Sequence, residues 1–477
     1  MVFFRLSLAV SLGFVLSACV ALPQQVVRQQ TVAQLLSDKT WQQSHGTSLE
    51  SGELVLSQSL LALFDNADLN IVVEKALENN LDLQLAAERL RESGFLNQMG
   101  QANRWPEADL DLNVNRSKDV SAVADGGEST RRTDYSANIA VSWELDLWGR
   151  LHQQRQAQKA KTESLLQDFH AARNSIAARV MQLWFTNISQ TERVQIEQLR
   201  VQQLERLQML VRQRYQDGLA DLSELDDVRA KKMQFQASLL EQRQLLTESQ
   251  YQLQALLGEY PEHLDTQNSK LSSSQVVDDF LTITLPPVAV GIPAHVIHRR
   301  PDVQAAWQAV NAANANAKAD YWAMYPSIEL TGQFGKNGTS LRRLMDQPSI
   351  WNVLTMIKVP LFNAGRLKNN YRAAKSRAEQ DYIVFLQRIL NALHEVEVAL
   401  SQGESLIEQE KALRAAAQLA RENASRAEFD YRFGRIKLED YLDHQVNALD
   451  VLIQLVELSN QRLQNRVTLG LALGQGV

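Results

Sequence analysis

Acidic side chains follow two glycines of this chain at similar spacings. Glu224 comes six residues after Gly218, and Asp440 and Asp443 come six and nine residues after Gly434. Carboxylates in the first turn of a helix stabilise the helix dipole. Repeated around a three-fold axis, the same carboxylates would form rings of negative charge around a shared aperture. Such rings would favour cations and would make the opening of the aperture depend on pH or on a basic partner. Both roles are open at these positions.

The other reactive residue types form no recognisable catalytic or metal-binding arrangement. The eight histidines are scattered without ligand spacing, the chain has a single cysteine, and no nucleophile or nucleotide-binding motif stands out. The formal net charge of −6 gives no indication of nucleic-acid binding. The sequence therefore predicts a protein that is not an enzyme, needs no metal or other cofactor and binds no nucleic acid.

The single cysteine, Cys19, directly follows an N-terminal apolar segment. Residues 1–18 read "MVFFRLSLAVSLGFVLSA", with one arginine before the apolar run and small residues after it, as in a secretory signal peptide. Residues 16–19 resemble the bacterial lipobox, in which the cysteine is lipidated after cleavage. An ordinary signal peptide with an incidental cysteine is the alternative. We predict an exported lipoprotein in which residues 19–65 lead away from a palmitate-bearing anchor at Cys19.

The chain contains an internal tandem repeat. Three pairs of glycines are separated by the same 216 residues: Gly149 and Gly365, Gly218 and Gly434, and Gly258 and Gly474. Such a constant offset is the signature of a duplicated unit. The repeats are predicted to span residues 66–258 and 291–477, joined by a linker at 259–290 that is rich in serine, aspartate and proline.

Each repeat has the same predicted order of elements, in which helices dominate. It begins with one helix, at about 70–103 and 293–323, followed by a strand hairpin at 106–146 and 326–362. Two long helices on either side of a glycine turn complete each repeat; they are predicted at 150–217 and 219–257, and at 366–433 and 435–473. Heptad-like apolar seams predict that these antiparallel helices pack side by side. One seam repeats every seven residues, and the other steps by four and three: Leu239, Leu246 and Leu253, and Leu442, Val446, Leu449, Ile453 and Val456.

Four short segments alternate between apolar and polar residues, the fourth less cleanly because Leu354 and Met356 intervene. The clearest reads "ADLDLNVN" at residues 108–115. Segments of about ten residues with aromatic residues near their ends are typical of strands that cross a bilayer. Two hairpins packed on a soluble helical core are the alternative. Four strands cannot close a membrane barrel, so several chains would have to contribute to one; three copies would supply twelve strands.

The motifs resemble those of the TolC family of bacterial outer-membrane efflux ducts, in its lipoprotein branch. The similarity includes "SWELDLWGR" at 142–150, "VPLFNAGRL" at 359–367 and "YRFGRIKLEDYLD" at 431–443. The resemblance implies a homotrimer with a twelve-stranded β-barrel in outer-membrane lipid and a long α-barrel that extends into the periplasm. It also implies a periplasmic adaptor protein and an inner-membrane pump, expected to be proton-coupled, as partners.

The resemblance implies roles for individual residues as well. Asp440 and Asp443, with Glu224 at the corresponding position of the first repeat, are expected to line the periplasmic aperture. The helix tips that an adaptor would engage comprise Arg214, Tyr215, Gly218, Tyr431, Arg432 and Gly434. Gly149 and Gly365 mark the strand-to-helix junctions. The chain departs from the family's best-known member in having Ile436, instead of an arginine, two residues after Gly434.

The expected function is that of a passive exit duct for small toxic compounds such as drugs, dyes and detergents. An outer-membrane duct for type I protein secretion is one alternative, because no residue decides the cargo. A lipid-anchored periplasmic coiled-coil scaffold without a pore is another.

Overall fold

A computed structural model describes residues 59–64, 66–120, 129–262 and 293–477 of the chain. The predicted lipidation site at Cys19, the signal peptide and most of the linker lie outside these residues. The described part contains nine α-helices and four β-strands: α1 (Ala67–Asn79), α2 (Leu81–Ala102), β1 (Glu107–Val120), β2 (Ser129–Leu145), α3 (Arg150–Gln216), α4 (Leu222–Leu256), α5 (Pro293–Arg299), α6 (Pro301–Trp322), β3 (Ser327–Gly338), α7 (Leu341–Asp346), β4 (Ile350–Lys358), α8 (Arg366–Arg432) and α9 (Leu438–Ala472).

The chain divides into two compact units. One unit combines residues 91–165 and 306–386 and contains the four strands; the other combines the described residues of 59–90, 166–305 and 387–477 and is helical. Both units draw on both halves of the sequence, as expected if the duplicated halves fold together.

The four strands form one antiparallel sheet in the order β1-β2-β3-β4. Its register places the apolar residues of neighbouring strands opposite one another, for example Leu110 opposite Ile139 and Phe334 opposite Trp351. The other face carries mainly polar pairs, such as Asp111 opposite Asn138. Because strand side chains alternate between faces, the sheet has one apolar and one largely polar face.

The strands differ in length from the predicted ten residues. β1 and β2 have 14 and 17 residues, whereas β4 has only nine and ends before Val359 and Leu361. The hairpin of β3 and β4 also contains the short helix α7, which begins at the N-cap Ser340, whose hydroxyl accepts a hydrogen bond from the Arg343 amide. Alternation identified the strands but not their ends, because strand length depends on pairing with neighbours.

The prediction of one helix at the start of each repeat is wrong, because two helices are present in both places. In the first repeat Asn80 separates α1 from α2; its backbone is extended, and its side chain accepts a hydrogen bond from the Leu83 amide at 3.1 Å. In the second repeat Pro301 begins α6, and a proline disfavours a helical conformation of the preceding residue, Arg300.

Asn80 and Arg300 also make equivalent contacts within the helical unit. The Asn80 amide donates to the carbonyl of Leu256 at the end of α4, over 2.9 Å. The Arg300 guanidinium donates to the carbonyl of Ala472 at the end of α9, over 3.2 Å. Leu256 and Ala472 are 216 residues apart. In each repeat, therefore, the residue that precedes α2 or α6 donates to a carbonyl at the end of α4 or α9, respectively. The donor is an amide in the first repeat and a guanidinium in the second.

The duplicated long helices have equal lengths. α3 and α8 each have 67 residues, and α4 and α9 each have 35. Six of the eight predicted seam residues are buried, namely Leu239, Leu246, Leu253, Leu442, Leu449 and Val456, whereas Val446 and Ile453 are half-buried. In the core of the helical unit these residues pack with side chains of α3 such as Val211, which is completely inaccessible.

Candidate functional site

The two predicted tip turns have the same backbone geometry. Gly218 and Gly434 adopt positive φ values of 73° and 69°. In the first turn the Gly218 amide donates to the carbonyl of Tyr215 and the Leu219 amide donates to that of Arg214; the second turn repeats this pair of hydrogen bonds. This is the Schellman motif, in which a left-handed residue ends the helix and satisfies its last carbonyls. Glycine adopts that conformation without the steric cost that a Cβ atom adds.

A buried tyrosine connects the two tips of the helical unit. Tyr431 is 3% exposed, its ring stacks on Tyr441 with centroids 5.1 Å apart, and the Arg214 guanidinium lies 5.1 Å from its centroid. Burial raises the pKa of the Tyr431 hydroxyl; the positive charge of Arg214 lowers it, and the negative charge of Glu224 raises it. Tyr431 therefore stays neutral and joins α8 to the first tip.

The predicted aperture residues occupy two different environments. Asp440 and Asp443 are exposed in the first turns of α9, and within the described chain neither forms an ion pair. Glu224 is half-buried, at the equivalent position of α4, and lies close enough to Tyr431 to affect its pKa. The structure therefore brings Glu224 together with Arg214 and Tyr431, whereas the two aspartates face solvent.

Besides the two glycines, the exposed residues of the tip motif are Tyr215 and Arg432. Tyr215 is 43% exposed, and Arg432 pairs with Glu428 over 2.5 Å on the surface of α8. Tyr431 is beneath this surface, so its ring is not available to a docking partner in this conformation. Surface ion pairs of this kind contribute little to stability, which leaves the Arg432 guanidinium free to exchange partners.

Arg435 lies in the turn between α8 and α9, beside the position where the resemblance leads one to expect an arginine, and its side chain contacts the end of α8. Its guanidinium pairs with Asp430 over 3.2 Å and lies 5.4 and 5.7 Å from the rings of Phe429 and Phe433. Ile436 is half-buried and packs against the core near the tips. Within the described chain, therefore, neither Arg435 nor Ile436 supplies a positive charge toward the first tip. The positive charge beside Tyr431 there is that of Arg214.

The strand-to-helix junctions also depend on glycines with positive φ. Gly149 and Gly365 both have φ of 80°. Before Gly149, the Asp146 carboxylate accepts hydrogen bonds from the amides of Leu151 and His152, which lack helical partners at the start of α3. The Trp148 indole donates to the carbonyl of Pro326 over 2.7 Å and links the two repeats.

Two kinds of feature are absent from the described residues. No helix in this part of the chain has the length and apolar character needed to span a bilayer. In the same residues, no three or more His, Cys, Asp or Glu side chains are grouped so that they could hold a metal ion.

The sequence profile of the outer membrane efflux protein family matches residues 72–259 and, separately, residues 292–475. This chain belongs to the outer membrane efflux protein family. The two matched segments coincide with the two halves of the duplication. Proteins of this family are channels of the bacterial outer membrane that extend into the periplasm, and they are not enzymes. They work with periplasmic adaptors and inner-membrane pumps and are typically trimers.

Individual relatives agree with this assignment. Cation efflux system protein CusC from Escherichia coli strain K12 is 27% identical over 416 residues, which are 87% of this chain and 88% of that protein. Probable outer membrane lipoprotein SilC from Salmonella typhimurium is 25% identical over 417 residues, 87% of each chain. The crystal structure of the CmeC outer membrane channel from Campylobacter jejuni superposes with a TM-score of 0.80 at 23% identity, covering 87% of each chain. The resemblance to the TolC family is confirmed.

Proposed function

We propose that three copies of this chain form an exit duct that passively conducts small toxic compounds such as drugs, dyes and detergents. Each copy contributes four strands to a twelve-stranded β-barrel and its long helices to an α-barrel below it. A periplasmic adaptor contacts the helix tips through Tyr215 and Arg432, and a proton-coupled inner-membrane pump delivers the cargo. Asp440 and Asp443 form two rings of carboxylates at the periplasmic aperture.

The apolar face of the sheet is the observation that carries this proposal. Leu112 is 71% exposed and Val353 is 69% exposed on this face. In the described chain β1 and β4 each have only one neighbour, so the sheet has two open edges. An open edge cannot exist in lipid, because its backbone groups would remain unsatisfied. Joining β1 of one copy to β4 of the next removes all edges and gives the apolar residues a lipid environment.

The oligomeric state and conductance of the purified protein test the proposal. We expect a detergent-solubilised particle with the mass of three chains, which opens ion-conducting channels in a planar bilayer. A periplasmic scaffold would be monomeric or would conduct no current. A duct for protein secretion would conduct, but a strain lacking the gene would lose a secreted protein and remain resistant to drugs, dyes and detergents. Metal salts belong in the same panel, because CusC is named for cation efflux.

We also propose that Cys19 anchors the mature chain to the membrane, in keeping with the name of its relative SilC. Each CH₂ group of an acyl chain contributes about 0.8 kcal/mol to attachment. Cells that express Cys19→Ser are expected to show no incorporation of labelled palmitate into this protein, whereas the wild-type chain is labelled. Labelling of the variant at the wild-type level would contradict the lipid anchor.

A further inference from the structure

Helix α9 carries a continuous polar line on one face. Alternating steps of three and four residues lead through nine positions that are all polar: Asp440, Asp443, Asn447, Asp450, Gln454, Glu457, Gln461, Gln464 and Thr468. Residues with this spacing share one face of a helix. Between residues 451 and 472 the three exposed side chains, Gln454, Gln461 and Thr468, all belong to the line. The rest of this half of α9 is buried or half-buried.

The polar line faces away from the segment that covers the other side of α9. A Cβ atom at Gly470 would lie 2.5 Å from Leu60 Cδ1, so the segment around Leu60 packs directly against that face. Thr468 precedes Gly470 by two residues, which turns its side chain about 160° away at 3.6 residues per turn. The predicted aperture residues Asp440 and Asp443 begin the same polar line.

Near its C-terminal end the polar line forms the floor of a groove between α3 and α8 of the same chain. The Gln182 amide of α3 donates to Thr468 Oγ1 over 3.1 Å, and Asn465 donates to the carbonyl of Ala399 in α8 over 3.1 Å. The groove has a volume of about 470 Å³, and none of its lining side chains is charged. Five of them are glutamines: Gln182, Gln402, Gln409, Gln461 and Gln464.

Four of these glutamines use their amide nitrogens within the protein. Gln182 donates to Thr468, Gln409 to Ser405, Gln461 to Glu457 and Gln464 to Thr186. Among the described residues, no hydrogen bond ends on the side-chain carbonyl oxygens of these four residues. The groove therefore presents hydrogen-bond acceptors without a negative charge.

Charge along the polar line falls from the tip toward the groove. Asp450 pairs with the buried Arg200 over 2.6 Å, and Glu457 pairs with Arg193 over 3.4 Å. Of the four carboxylates on this line of the described chain, only Asp440 and Asp443 lack a cationic partner. A cation that enters at the tip would meet free carboxylates first and uncharged carbonyl oxygens afterwards.

We propose that this amide groove is a binding site for cargo that carries several N–H donors, such as linear polyammonium compounds. The inference rests on the proposed function, because it requires the polar line to face the conduit. Charged donors form stronger hydrogen bonds than neutral ones, and acceptors without charge hold such cargo without trapping it. The groove lies within one chain, so each copy of a trimer provides one site.

Two dications of equal chain length test the proposal in planar bilayers. Hexane-1,6-diamine carries N–H donors at both ends, whereas hexamethonium has the same spacer and charge but only methyl groups on nitrogen. We expect the diamine to half-block the wild-type channel at a concentration about tenfold lower, equivalent to about 1.4 kcal/mol. The double variant Gln461→Leu, Gln464→Leu is expected to lose this preference and to leave block by hexamethonium unchanged.

A matched control is Gln418→Leu. Gln418 is exposed on α8 nine residues after Gln409, which places it on the opposite side of that helix, so the diamine preference is expected to persist. If the double variant does not assemble, Gln461→Leu alone is measured, because Gln461 is exposed. Equal block of the wild-type channel by both compounds overturns the amide site while leaving the duct intact. A trimer without conductance overturns the proposed function and this inference with it.

Discussion

Replacing Leu112 with arginine is expected to prevent assembly of the protein in the outer membrane. Leu112 lies in the middle of the apolar face of β1, opposite Ala137 of β2. An arginine on the lipid face of a membrane strand costs about 2–4 kcal/mol near the bilayer midplane. A trimer would contain three such arginines, so this free-energy cost would apply three times.

Asn113→Arg is the matched control, because the neighbouring side chain points to the polar face of the same strand. This variant is expected to assemble like the wild type. Heat-modifiable trimer in outer-membrane fractions, measured by gel electrophoresis and blotting, compares the two. Equal amounts of trimer for both variants would show that the apolar face does not contact lipid and would exclude the barrel.

The second large effect is expected at the periplasmic aperture. Replacing both Asp440 and Asp443 with alanine removes six carboxylates from a trimer. We expect the preference for potassium over chloride to fall by roughly threefold or more, because rings of like charge dominate ion selectivity in a narrow pore. Single-channel conductance is expected to rise, because the alanine side chains occupy less of the aperture. Both effects are measured with the purified trimer in a planar bilayer under a salt gradient.

The variant Glu439→Ala distinguishes an effect of carboxylates that line the aperture from a general effect of negative charge near it. Glu439 is exposed in the same turn of α9 but lies beside the polar line and not on it. Its removal is expected to leave ion selectivity close to that of the wild type. If Glu439→Ala changes selectivity as much as the double aspartate variant does, the carboxylates act through overall charge or through the helix dipole, and the aperture assignment is wrong.

The sequence of α9 contains a signal for the amide groove beside the signal for its apolar seam. The apolar seam of α9 was recognised from steps of three and four residues, and the polar line follows the same steps. A seam shows that a helix packs, whereas the opposite line remains accessible only if no other element covers it. The position of Leu60 against Gly470 shows which face is covered, and no local pattern contains that information.

The split of each starting helix was also missed, for a reason that differs between the repeats. Pro301 is a direct local signal for a helix start. Asn80 is ambiguous, because asparagine also occurs inside helices; here its side chain caps the start of α2 by accepting from the Leu83 amide and donates to the Leu256 carbonyl. The second bond joins residues 176 positions apart, so only the folded chain contains it.

The sequence by itself determined the periodic features of this protein. Alternation defined the four strands and apolar seams defined the packing faces of the long helices, because both depend only on residues close together in the chain. Three glycine pairs 216 residues apart defined the duplication, because a repeat is visible when a sequence is compared with itself. The tertiary structure alone decided which strands are neighbours, that Glu224 stands near Tyr431 while Asp440 faces solvent, and that uncharged amides line a groove. These features depend on contacts between distant segments, and equivalent positions of the two repeats differ because their neighbours differ.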